Sequence, residues 1–293
     1  MSPILDRVYH LSVGDNSETL ELDGFVGDPA RVQFRIDRGY GSYDSHALIT
    51  VFGLGRQSRQ KIYERYDRVR FTAGYRDSWG QLFSGTIYNV SIGRDGPETF
   101  VTLFCRASGV NWDNAQVVKT FGAGTNMLEV VTEVAESFGL PVEFVGDFSD
   151  LPTLASSMPV QQSANTFLAT EAKNFGFTWT IDGGRLTIFR DGAKRETMHS
   201  TSALTGMVGT PIITQWGIEV TTRLMNQVQI LDQIEVRNET GQLNFANPNA
   251  IHRADTIGAG IYRISGLTHD GDLYGDNWST TLQGLNPRTT TTR

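Results

Sequence analysis

The sequence predicts a mainly β protein with an α+β insert, and three features of its 293 residues carry that prediction. Apolar and polar residues alternate at period two near both ends of the chain. Two stretches of helical periodicity lie together in the middle. The 31 glycines and 10% aromatic residues favour short strands and tight turns. With 39% hydrophobic and 19% charged residues, the composition is that of a globular chain rather than a disordered one.

Residues 1–110 read as strands. Arg31-Val32-Gln33-Phe34-Arg35-Ile36-Asp37 places Val32, Phe34 and Ile36 on one face and polar groups on the other. Val69 to Tyr75 repeats the pattern, and Leu82–Ile92 and Phe100–Cys105 supply two more strands around the turn signal Arg94-Asp95-Gly96-Pro97. One short helix is expected over 54–66. Strands this closely spaced form an antiparallel barrel or a sandwich.

The middle of the chain changes period. Thr125 is placed to cap a helix with Met127, Leu128, Val131, Val134, Ala135 and Phe138 on its apolar face, stopped by Gly139 and Pro141. A loop over 146–160 follows. Ser163 is placed to cap a second helix, with Phe167, Leu168, Ala172 and Phe175 on one stripe and Gly176 at its end. Phe177, Trp179 and Ile181 then alternate, Asp182-Gly183-Gly184 turns the chain, and Leu186 and Ile188 return. Residues 120–190 thus form a small α/β insert.

The β pattern resumes from about 208. Strands are expected at Ile218–Val220, Ile230–Val236, Ile261–Leu267 and Trp278–Leu282, with a long loop over 238–260. The tail from Arg288 holds no apolar residue and is expected to fray. The two β regions echo each other. Asp67-Arg68-Val69-Arg70-Phe71 parallels Asp232-Gln233-Ile234-Glu235-Val236, and each precedes a hairpin expected to turn at Asp-Gly, Asp95-Gly96 or Asp270-Gly271.

Most catalytic chemistries lack their residues here. Gly-x-Ser-x-Gly and His-Glu-x-x-His are absent, and Gly122-Ala123-Gly124 leads to Thr125 and Asn126 without the lysine of a phosphate loop. His10, His46, His199, His252 and His269 are scattered singly. Asp270, Asp272 and Asp276 resemble a calcium loop, but Tyr274 takes a ligand position and Thr281 stands where a bidentate glutamate belongs. The single cysteine, Cys105, excludes an internal disulfide and reads as a buried small hydrophobe. No cofactor, metal or catalytic residue is expected. Nor is a signal peptide or membrane span, and folding in a reducing cytoplasm fits. A formal charge of -7 argues against wrapping nucleic acid. The local run Arg56, Arg59, Lys61, Arg65, Arg68, Arg70, interrupted by Glu64 and Asp67, reads as a solvated helical face.

Three stretches resemble the baseplate hub proteins of contractile-tailed bacteriophages, the late-control and Mu-like hub family. The first is Gln162-Ser163-Ala164-Asn165-Thr166-Phe167-Leu168, continuing through Asn174-Phe175-Gly176-Phe177 to Asp182-Gly183-Gly184-Arg185-Leu186. The second is Tyr66-Asp67-Arg68-Val69-Arg70 with Leu82-Phe83-Ser84-Gly85-Thr86-Ile87. The third runs from Gly260-Ile261-Tyr262-Arg263-Ile264 through Leu267-Thr268-His269-Asp270-Gly271-Asp272 to Trp278-Ser279-Thr280. In order they span most of the chain. One departure is Leu224-Met225-Asn226-Gln227, where the family usually carries Asn-Pro.

The resemblance implies two tube-like antiparallel β-barrel domains, 1–115 and 196–287, flanking a small α/β domain, 116–195, with a flexible tail at 288–293. It implies a homotrimer whose pseudo-sixfold ring joins a sixfold tail tube, or tube-initiator protein, to a threefold central spike. Other baseplate proteins would be neighbours, and DNA would pass through the lumen without specific binding. The expected location is the virion baseplate, assembled in the host cytoplasm without membrane insertion. Assembly contacts are expected at Tyr40, Tyr43, Trp79, Trp216, Asn247 and Tyr274. Two other classes remain in contention: a tail-associated peptidoglycan hydrolase, and a glycan-binding module stacking sugars on Trp79, Trp112 or Trp216.

Overall fold

The computed structural model describes residues 6–25, 27–39, 44–109, 111–247 and 258–286. At 54% strand and 13% helix it has the mainly β class that the periodicity predicts. The first region comprises β1 (Arg7–Gly14), β2 (Thr19–Asp23), β3 (Val32–Gly39), β4 (His46–Phe52), α1 (Arg56–Glu64), β5 (Arg68–Tyr75), β6 (Ser78–Asp95) and β7 (Glu98–Arg106). Alternation decides which side chains turn inward. Val32, Phe34 and Ile36 are buried beside Ala47, Ile49 and Val51 of β4 and Val101, Leu103 and Cys105 of β7. On α1 only Ile62 is buried; Lys61 pairs with Glu18 and Arg65 reaches Asp15 at 3.3 Å, while Arg68 and Arg70 of the basic run are exposed on β5 rather than on the helix.

The middle region comprises α2 (Asn111–Asn114), β8 (Gln116–Phe121), α3 (Met127–Glu136), β9 (Val142–Val145), β10 (Met158–Ser163), α4 (Ala164–Phe175), β11 (Phe177–Asp182) and β12 (Arg185–Arg190). β11, β12 and β9 form one small sheet, and β8 pairs with β10. The β11–β12 turn is Gly183-Gly184 with φ of 58° and 79°, both left-handed, as a two-residue hairpin of this hand requires. Gly176 ends α4 at φ 66°. The two helices pack on each other, and Trp179 of β11 is buried against Phe138 and the half-buried Trp112.

The last region comprises β13 (Met198–Ser202), β14 (Met207–Ile213), β15 (Gly217–Arg223), β16 (Gln233–Arg237), β17 (Asn244–Phe245), β18 (Gly260–Asp272) and β19 (Trp278–Leu285). Its connectivity repeats that of the first. Leaving aside β2 and β17, the sheet order is β1-β5-β6-β7-β4-β3 in one region and β13-β16-β18-β19-β15-β14 in the other. In chain order within each region, both read first-fourth-fifth-sixth-third-second. The repeat extends to single bonds. Ile87 N donates to Asp67 O at 2.7 Å, and Ile264 N donates to Asp232 O at 2.8 Å. The hydroxyls of Thr50 and Thr102 meet at 2.9 Å, and those of Thr221 and Thr281 at 3.2 Å. One difference is that β1 lies antiparallel to β5 whereas β13 lies parallel to β16.

The regions share one sheet, because β3 pairs antiparallel with β18 over Gln33–Gly39 and Gly266–Asp272. Their cores are largely separate. One cluster of buried residues runs from the first region into the insert and takes in Leu224, Leu273 and Trp278 of the last; a second, built on Ile218, Val220, Ile234, Ile264 and Leu282, belongs to the last region alone. Among the described residues no strand pairing closes either region into a barrel: the path is open, from β17 to β2.

Several expectations need correction. Asn126, not Thr125, caps α3: its Oδ1 accepts from Leu128 N at 2.8 Å, while the Thr125 carbonyl accepts from Leu154 N. Phe175 is only half-buried, and the buried stripe of α4 is Ala164, Phe167, Leu168, Glu171 and Ala172. The strand expected from Ile230 starts at Gln233, since Leu231 turns the chain at φ 74°. Asp270-Gly271 lies within β18, and the hairpin turns over residues 273–277 instead. Gly271 is there for closeness: a Cβ would sit 2.3 Å from the Phe34 ring and 2.9 Å from that of Trp278. Of the loop at 238–260, the described part includes the short strand β17.

Candidate assembly surfaces

Asp272, one of the acids that resembled a calcium loop, is a latch between the two β regions. Arg31 donates to its carboxylate from Nε at 3.1 Å and Nη2 at 2.6 Å, and Gln33 Nε2 donates at 2.9 Å. Burial alone would raise this carboxyl, but those bonds prevail and bring it down to about 2. Arg7 holds the following turn by donating to the carbonyls of Asp272, Gly275 and Asp276 at 2.8, 2.5 and 3.1 Å. Trp278 packs edge-on to Phe34 with centroids 5.2 Å apart, and its Nε1 donates to Gly74 O at 3.1 Å. Arg7, Arg31 and Gln33 thus tie the first β region to the β18–β19 hairpin. Among the described residues no three His, Cys, Asp or Glu side chains converge as a metal site.

A second latch fastens the insert. Arg38 lies at the end of β3 with its guanidinium Nη2 2.5 Å from Asp182 Oδ2, and Ser45 Oγ donates to Asp182 Oδ1 at 2.9 Å. Burial would raise the Asp182 carboxyl, yet Arg38 and Ser45 hold it below the usual carboxylate range. His269 is wholly buried nearby, with Nδ1 2.8 Å from Thr280 Oγ1. Burial, reinforced by Arg38, lowers its pKa to about 3 against the opposing pull of Asp182. The imidazole is therefore neutral at pH 7.

The expected contact residues that are described lie apart from one another in sequence, on or next to strand ends. Trp79 follows the β5–β6 turn, half-exposed and edge-on to Phe25 at 4.8 Å. Trp216 occupies the β14–β15 turn. Tyr274 tops the β18–β19 turn, where its hydroxyl donates to Pro29 O at 2.7 Å. Asn247 is exposed just after β17. Tyr40 and Tyr43 lie outside the described residues. Unanticipated are exposed apolar side chains on strands: Tyr88 and Ile92 on β6, Val208 on β14 and Phe245 on β17. No local signal marked them: β6 runs for 18 residues against 8 in β5, so its far half outruns that neighbour. Cys105 is buried, and burial pushes its thiol up, which removes it as a nucleophile. Among the described residues no helix is long and apolar enough to cross a membrane.

The repeated antiparallel unit with an α/β insert is a fold shared with bacteriophage-type tail proteins. The 43 kDa tail protein of prophage MuSo2 from Shewanella oneidensis superposes with a TM-score of 0.61 at 11% identity, covering 96% of this chain and 98% of its own. A tail protein from Neisseria meningitidis MC58 gives 0.59 at 8% identity, covering 95% and 96%. The c3393 protein of E. coli gives 0.60 at 10% identity, covering 94% and 76%; it is a component of the type VI secretion system with structural similarity to T4 bacteriophage tail proteins gp27 and gp5. No curated protein matches in sequence. Residues 26–244 match the model of the baseplate hub gp41 family, and the chain belongs to that family. It is a structural component of a phage tail baseplate.

Proposed function

We propose that three copies of this chain close into a pseudo-sixfold ring that joins the sixfold tail tube to the threefold spike and leaves a channel for DNA. The repeated connectivity of the two β regions on one sheet carries this reading. Two comparable units per chain make six per trimer, so one face meets a sixfold partner and the other a threefold one. The division into two tube-like barrels, 1–115 and 196–287, around an insert at 116–195 belongs to the same proposal. Barrel closure would then be completed by neighbouring copies, which also removes open strand edges. The similarity of the E. coli protein to gp27 and gp5 supports partners of tube and spike type.

The role is mechanical rather than enzymatic. At -7 per chain, three chains carry 3 × -7 = -21, and a lumen sharing that sign lets DNA slide without adhering. Trp79, Trp216, Asn247 and Tyr274, together with Tyr40 and Tyr43, are proposed contacts to tube, spike or other baseplate proteins. Assembly would take place in the host cytoplasm.

Native mass spectrometry with and without the cognate spike protein tests the reading: a trimer that binds spike supports it, and a persistent monomer indifferent to spike and tube refutes it. Peptidoglycan clearance on a zymogram would instead establish a hydrolase. A positively charged lumen in an assembled ring would end the sliding argument.

A further inference from the structure

We infer that the distal half of β6, Asn89–Asp95, is the edge on which strand β14 of a second copy docks, in the register by which β18 receives β3 within one chain. The inference rests on the ring reading and adds to it the strands at which neighbours meet.

β6 and β18 are counterparts residue by residue. Each carries a one-residue bulge against its hairpin partner, at Tyr88 between Ile87 and Asn89, and at Ser265 between Ile264 and Gly266. Aligning the bulges sets Asn89 on Gly266, Val90 on Leu267, Ile92 on His269 and Asp95 on Asp272. The same alignment superposes the two threonine pairs, Thr50–Thr102 and Thr221–Thr281. Before the bulge, each strand is paired on its outer side, β6 by β5 and β18 by β16.

After the bulge they differ. β18 takes β3 along Gly266–Asp272, whereas Asn89–Asp95 has no strand on that side among the described residues. Burial records the missing neighbour. Leu267 and His269 are 2% and 0% exposed under β3, while their counterparts are half-buried (Val90) and 44% exposed (Ile92). An isoleucine at that level of exposure, on a stretch paired with a strand on one side only among the described residues, is a surface awaiting a strand.

The connectivity names the occupant. The strand that fills this place within the chain is β3, second in its region, and its counterpart is β14. Through their hairpin partners Gln33 aligns with Val208, and Ile36 with Ile213, the two extra residues of β14 being taken up at its register shift between Val208 and Ile212. β14 lies toward the far end of the sheet, separated from β6 by β15, β19, β18, β3, β4 and β7. A second copy therefore supplies it, head to tail. That arrangement sets Ile92 against Ile213 of the neighbour, and Asp95 against its Val208, which is 52% exposed.

One element stands in the way. β17 pairs parallel with β14 at Ile212 and Ile213, so it must leave as the neighbour arrives. Two exposed residues make a weak cover, suited to shielding the edge until assembly.

Disulfide trapping in phage tails tests this, because tails hold the protein in its working assembly. Asp95→Cys and Val208→Cys occupy the positions that in Asp272 and Gln33 lie side by side, and the buried Cys105 does not compete. Tails carrying the double variant should yield, on oxidation, covalent multimers ending at three chains. Particles mixing the two single variants should yield dimers only. The off-register pair Arg94→Cys with Val208→Cys should lose the product. Ile92→Asp should leave the melting of the isolated chain unchanged and abolish its incorporation. If the double variant enters tails without linking, or the off-register pair links equally, the strand assignment is wrong while the hub reading stands. If even the unsubstituted chain is absent from purified tails, the hub reading fails and takes this inference with it.

Discussion

Gln33 and Asp272 stand opposite each other in paired strands although 239 residues separate them, with Gln33 Nε2 2.9 Å from the Asp272 carboxylate. That contact is where the first and last β regions become one sheet, and it makes the stability of the whole depend on a few polar groups.

Asp272→Ala should destabilise the chain by about 2 kcal/mol, as expected for losing charge-assisted bonds to Arg31 and Gln33 at a partly exposed site. Asp272 titrates near 2 when folded and near 4 when unfolded, so its contribution is present above pH ~4 and is lost as pH falls toward 2. Urea unfolding at pH 7 and pH 3 checks both statements: the variant should differ from the parent more at pH 7.

His269 adds to acid sensitivity at a higher pH. Folded, it stays neutral down to about 3, because it is buried beside Arg38 with Asp182 only partly compensating. Unfolded, it takes a proton near 6.5, so the unfolded state gains as pH drops, by up to about 1.4 kcal/mol per unit between 6.5 and 3. His269→Gln should flatten the stability profile between pH 6 and pH 4. A profile as steep as the parent's would place the titrating group elsewhere.

Arg38→Ala leaves the buried Asp182 carboxylate without its partner and should cost ~3–5 kcal/mol. The double variant with Asp182→Ala should recover part of that loss. Additive costs in a double-mutant cycle would show that the two side chains are not coupled.

Phe167→Ala should cost ~3–5 kcal/mol, because the ring is fully buried on α4. Phe175→Ala should cost clearly less, its ring being half-buried. Thermal melting of the two variants side by side would expose an inverted helix face.

Local signals were legible wherever a short stretch decides its own conformation. Alternation at Val32, Phe34 and Ile36 marked β3, Gly176 marked the end of α4, and Gly183-Gly184 marked a two-residue hairpin. The echo of Asp67 and Asp232 located the fourth strand of each repeat, down to matching bonds from Ile87 and Ile264. The second hairpin was misplaced because Asp270-Gly271 looks like a turn, and only the rings of Phe34 and Trp278 explain the glycine there. Of the proposed contacts, Trp79 is half-exposed at the start of β6, and Trp216 and Tyr274 are half-exposed on turns. Tyr88, Ile92 and Val208 went unseen, because exposure on a strand depends on which neighbour is missing.

By itself the sequence determined the fold class, the place of the helical insert and the likeness between the two ends of the chain, since these follow from periodicity and turn chemistry over a few residues at a time. Only the tertiary structure decided that β3 would bond to β18 and leave Asn89–Asp95 without a strand on one side. Strand pairing is made by backbone groups that every residue carries, so its partners are selected by distant packing and by latches such as Gln33 with Asp272.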